Sequence, residues 1–105
     1  MSCTITEGDV KYLAFYLMDY DPITGSLSYH DLSGADSIVF RMRKYRASSN
    51  AIDTTASIVN ASLGYCRVLV TVPVAGTYET ELEVFEGTLH DTWVGPVYYV
   101  REPLG

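Results

Sequence analysis

Apolar and polar residues alternate with a period of two along most of this chain, and no window holds apolar residues at i, i+3, i+4 and i+7 over three turns. The periodicity predicts strands. From Val10 to Tyr20, Leu13, Phe15 and Leu17 point one way while Tyr12, Ala14, Tyr16 and Met18 point the other. A strand apolar on both faces belongs in the centre of a sheet or under a covering neighbour. Ser37 to Arg43 alternates Ile38, Phe40 and Met42 with Val39, Arg41 and Arg43, the pattern of a half-buried strand. The cleanest alternation runs from Thr77 to Glu86, with Tyr78, Leu82 and Val84 facing the core and Glu79, Glu81 and Glu83 forming an acidic row on the opposite face.

Turn chemistry separates these runs. Asp21-Pro22 with Gly25 marks a hairpin or loop, through the fixed φ of proline and the tolerance of glycine for positive φ. Asp31-Leu32-Ser33-Gly34-Ala35-Asp36 precedes the Ser37 strand, and Tyr45 to Asp53 lacks periodicity and reads as a loop, with a strand resuming near Thr55. Ala56 to Asn60 and Tyr65 to Val72 predict a hairpin across Ala61-Ser62-Leu63-Gly64. Pro73 closes that second strand, and Ala75-Gly76 turns into the Thr77 strand. A looser segment from Gly87 to Pro96, containing Trp93, leads to a last strand at Val97 to Arg101. Short strands with turns between them imply an all-β fold, most economically a two-sheet immunoglobulin-like β-sandwich of about seven antiparallel strands in a single domain over residues 1–105.

Composition fits that expectation, since 105 residues suffice for one core without metals or disulfides. The aromatic set is dominated by nine Tyr, a residue that serves sheets and interfaces equally. A net charge of −6 works against nucleic acid as a partner. The local exception is Arg41, Arg43, Lys44 and Arg46, which reads either as a solvated edge that discourages strand addition or as a patch for an acidic partner. The opening residues lack a basic n-region and no apolar run approaches membrane-spanning length, so no membrane association and synthesis in the cytoplasm are expected. Cys3 and Cys66 lie far apart with no CxxC pair and read as reduced, buried fillers.

Candidate chemistry is sparse. His30 and His90 sit in turn-like polar surroundings with no suggestive neighbour and read as surface histidines. The Glu79, Glu81 and Glu83 row has a spacing common to any strand and reads as a solvated face, while Asp19 and Asp21 read as turn formers because the other ligands of a calcium loop are missing. No phosphate-binding loop, GxGxxG or HExxH is present, so no cofactor, no metal site and no enzyme activity are expected. Binding by surface remains. The expected contact residues are Tyr45 and Arg46 in the long loop, Trp93, and Tyr98 and Tyr99 in the last strand, with one of the adjacent tyrosines turned into the core.

Several motifs look familiar together: Thr4-Ile5-Thr6-Glu7-Gly8-Asp9, Phe15-Tyr16-Leu17-Met18-Asp19, and Asp31-Leu32-Ser33-Gly34-Ala35 followed by Val39-Phe40-Arg41-Met42-Arg43. Ile58-Val59-Asn60-Ala61 with Gly64, and Ala75-Gly76-Thr77-Tyr78-Glu79 with Glu81-Leu82-Glu83-Val84, extend the series to about residue 86. In this order they resemble the N-terminal domain of phage baseplate upper proteins. The resemblance implies a β-sandwich that joins one virion protein to another, in a tail, a baseplate or a head-tail junction, homo-oligomeric within the particle. The segment between Asp19 and Asp31 is longer than that family's, and the stretch from Trp93 to Val100 matches it only loosely. A capsid decoration protein bound to the major capsid protein and a carbohydrate-binding module are the alternative readings.

Overall fold

The computed structural model describes residues 2–105 and is all-β apart from one short 3-10 turn at Ala61–Leu63. The strands are β1 (Ser2–Thr6), β2 (Val10–Tyr16), β3 (Met18–Tyr20), β4 (Leu27–Tyr29), β5 (Ser37–Lys44), β6 (Ile52–Asn60), β7 (Tyr65–Thr71), β8 (Gly76–Glu86), β9 (Leu89–Val94) and β10 (Val97–Arg101). The main sheet runs β1-β10-β8-β5-β6-β7-β2, with β9 also on β8 and β3-β4 forming a small sheet of their own. It is a mixed sheet, since β1 and β10 run parallel while the other pairs are antiparallel.

The sheet curls because β6 serves both halves: Ile52 to Ala56 pair with β5, whereas Ser57 to Asn60 pair with β7. A register shift between Ile58 and Asn60 adds the local bend and twist that a bulge supplies. The β5 side forms a half-barrel, and its concave face holds the core. Alternation dictates what lies there: Leu13 and Phe15 from β2, Ile38, Phe40 and Met42 from β5, Cys66, Val68 and Val70 from β7, and Tyr78, Leu82 and Val84 from β8. Phe15 stacks on Phe40 with ring centroids 5.6 Å apart, joining the edge strand β2 to the central strand β5 across the curled sheet. At the open side, Glu7 N–H donates to Arg101 O, Gly8 N–H to Val72 O, and the Ala75 N–H to the Glu7 carboxylate.

Five sequence expectations change. The strands number ten and β1 runs parallel to β10, where about seven antiparallel strands were expected. β2 is an edge strand paired only with β7, so its second apolar face, Tyr12 and Tyr16, is exposed rather than covered. Gly87 to Pro96 contains a strand, β9, held by pairing with β8 although its own residues hardly alternate. β6 begins at Ile52, before the expected Thr55. The Arg41 cluster is not at a sheet edge, because β5 lies between β6 and β8.

Candidate functional site

Because β2 and β7 face solvent on one side, their outward residues form a continuous surface. Val10 stands opposite Thr71, Tyr12 opposite Leu69, Ala14 opposite Arg67 and Tyr16 opposite Tyr65. The Arg67 guanidinium lies 4.0 Å from the centroid of the Tyr12 ring, and Tyr16 stacks on Tyr65 at 4.6 Å with planes 11° apart. Tyr29 continues the surface, 6.1 Å from Tyr16. From there it passes onto the β3-β4 hairpin, where the cross-strand pairs Met18 with Tyr29 and Tyr20 with Leu27 share one face.

Tyr12, Tyr16, Tyr20 and Tyr29 each expose between 49% and 62% of their area, and Val10, Leu27 and Leu69 more than half. With a tyrosine burying some 150–250 Å² when fully covered, the exposed part of this face amounts to roughly 800 Å², the size of one partner's share of a standard protein interface. The outward positions of β2 and β7 carry one cation, Arg67, and no carboxylate, although the chain as a whole carries 13 Asp and Glu.

The residues expected from sequence fall in three places. Tyr45 and Tyr99 both neighbour Thr77 on the outer side of the sheet, Tyr45 through its N–H to Thr77 O and Tyr99 by register, and the Arg46 guanidinium lies 5.4 Å from the Tyr45 ring centroid. Tyr45 and Tyr99 thus flank Thr77 from opposite sides, with Arg46 beside Tyr45. Trp93 stands apart and half-buried: its indole N–H donates to Met18 O at 3.1 Å, and its ring centroid lies 4.8 Å from that of His30. Tyr98 is in the core at 4% exposure against 48% for Tyr99, so it offers no contact surface; adjacent strand residues point to opposite faces. The sequence reading missed the larger face, although the two-sided pattern of β2 contained its signal.

The titratable groups are mostly engaged. Arg41 reaches Glu83 at 2.7 Å, Glu81 at 3.4 Å and Asp53 at 3.5 Å, which replaces the partner-patch reading of this residue with an internal network. The hydrogen bond from Arg41 holds the Glu83 carboxyl below its ordinary range, and His90 also contacts Glu83, at 3.0 Å. His30 is not a surface histidine: Nδ1 lies 2.8 Å from Asp19 and Nε2 2.9 Å from Glu86, so both ring nitrogens are occupied by carboxylates and neither faces a nucleophile. Asp19 is accordingly a strand residue gripping His30, while Asp21 does form a turn, accepting from the Ile23 N–H. Cys3 and Cys66 are free thiols, Cys3 half-buried, and burial pushes the Cys66 thiol up to about 11, far from a reactive thiolate. Among the described residues no group of three or more His, Cys, Asp and Glu is placed to hold a metal ion, and no helix is long and apolar enough to cross a membrane.

An open groove of about 340 Å³ crosses the outer side of β5 and β8, lined by Arg41, Arg43, Glu79, Glu81, Val94 and Gly95. Within it Arg41 pairs with Glu81 and Arg43 with Asn50.

Compared with protein-family models and with curated proteins, the chain matches none.

Proposed function

We propose that this chain is a non-catalytic structural component of a phage particle, in the tail, the baseplate or the head-tail junction, that works by binding other virion proteins. The aromatic face of β2 and β7, continued onto the β3-β4 hairpin, carries the reading. Tyrosines and an arginine are the side chains that concentrate binding energy at protein interfaces, and the face has the area of one. Its lack of carboxylates on an acidic chain suits a neutral or acidic protein surface. The resemblance to the baseplate upper protein domain supplies the phage setting, by analogy of motifs.

We also read the curled sheet as an immunoglobulin-like sandwich. Support comes from the passage of β6 between the two halves, from the parallel β1-β10 pair, and from Tyr78 near the start of β8. The Tyr78 hydroxyl donates to Val74 O at 2.7 Å, the hydrogen bond of a tyrosine corner. Carbohydrate binding is less favoured, because Arg67 already lies over one face of Tyr12 and Tyr65 over one face of Tyr16.

The test is to count copies per purified virion by quantitative mass spectrometry, in wild type and with Tyr16→Asp. The expected wild-type count is about six, twelve or a small multiple, as tail symmetry requires. The expected effect of Tyr16→Asp, with folding intact by circular dichroism, is a fall in incorporation of roughly tenfold or more. Hundreds of copies would move the chain to the capsid as a decoration protein, and absence from the particle would overturn both placements.

A further inference from the structure

The β3-β4 hairpin has little to hold it. Its strands are three residues each, it forms a sheet of its own, and none of residues 18–31 belongs to the buried core. A two-stranded hairpin of that size is marginal without packing. At its root, Leu17 N–H donates to Gly64 O and His30 N–H to Leu17 O, both at 2.8 Å. Further out the attachments are the Tyr29 ring beside Tyr16 of β2, the indole N–H of Trp93 on Met18 O and the His30 side chain, which spans from Asp19 on β3 to Glu86 at the end of β8.

We propose that His30 is a proton-operated clasp: doubly protonated, it fixes the hairpin to β8 and so keeps the hairpin's share of the aromatic face in place, and loss of one ring proton loosens it. The importance of the clasp for binding rests on the proposed docking face; the clasp itself does not.

Two ionised carboxylates accept only, so satisfying both takes two N–H donors, which imidazole has only as the cation. When the ring is neutral, one nitrogen turns a lone pair toward a carboxylate. Burial opposes the charge on His30, but the hydrogen bonds and charges of Glu86 and Asp19 outweigh it and raise the group above its ordinary 6.5. The other charged groups nearby are also carboxylates. Asp31 is the next residue, bonded to the N–H and hydroxyl of Ser33, and Asp36 accepts from Gly87 N–H at the end of β8. From β9 the Trp93 ring meets the imidazole, a contact that favours the cation. Since the folded value is raised, the stabilisation is fully present below pH 6.5 and disappears as pH rises through the folded value.

The experiment uses the whole chain. Histidine ring signals are titrated by NMR, and amide exchange protection is measured at pH 6 and pH 9, corrected for chemical exchange and referenced to β5. The expected results are a His30 midpoint above 6.5, lowered by Glu86→Gln, and a loss of protection in the hairpin of about tenfold at the higher pH with β5 unchanged. His30→Gln is expected to show low hairpin protection at both pH values. A midpoint at or below 6.5, or hairpin protection equal at both pH values, would overturn the clasp. No partner enters the measurement, so its failure and that of the docking face are read separately.

Discussion

Gly64 sits where three stretches of backbone meet. Its φ is 60°, and a Cβ there would lie 2.5 Å from Leu17 O and 2.8 Å from His30 O, both main-chain atoms with little room to move. Gly64→Ala is therefore expected to cost about 2 kcal/mol or more, seen as a fall of roughly 10 °C in Tm by calorimetry. An unchanged Tm would mean that the turn relaxes without loss. The sequence marked this glycine as the end of a four-residue connection, but its second constraint, the approach of Leu17 and His30, depends on contacts from a distant part of the chain. The same holds for His30, whose partners are 11 and 56 residues away. Adjacent Tyr98 and Tyr99 were legible as one inward and one outward residue, because strand geometry alone decides that.

At the level of elements, β5 and β8 illustrate what alternation reveals and what it hides. Their inward and outward sets matched the pattern, and the register places Arg41 opposite Glu81 and Val39 opposite Glu83. Of the acidic row read as solvated, Glu81 and Glu83 are instead tied to Arg41, with Glu83 the best-covered member, while Glu79 is exposed as expected. With the Glu83 carboxyl held low by Arg41, the pairing stabilises the fold above about pH 4.5 and is lost as pH falls through the lower folded value. Arg41→Met is expected to flatten the decline of Tm between pH 5 and pH 3; a decline as steep as in wild type would show that Arg41 contributes nothing to acid stability. β9 was illegible for the opposite reason, since Leu89-His90-Asp91-Thr92-Trp93-Val94 becomes a strand only through β8 beside it.

Across the molecule, the sequence made the all-β class and most strand positions readable, while strand order and the exposure of β2 follow from the curling of the sheet at β6, which no local pattern encodes. The body and the hairpin are separable in the same sense. Replacing residues 19–28 with Asn-Gly is expected to leave a folded body with Tm within roughly 5 °C of wild type, because the excised segment supplies no buried core residue. Loss of cooperative unfolding in that variant would show that the hairpin belongs to the folding unit.

The parallel pairing of β1 with β10 has a mechanical consequence. Ser2 lies beside Val97 and Thr6 beside Arg101, so the first and last strands of the chain are neighbours pointing the same way. Tension applied through the two ends of the chain would pull these strands past each other lengthwise, loading their hydrogen bonds together in shear instead of peeling them one at a time. A chain paired this way resists stretching along its own length at the very edge where force enters.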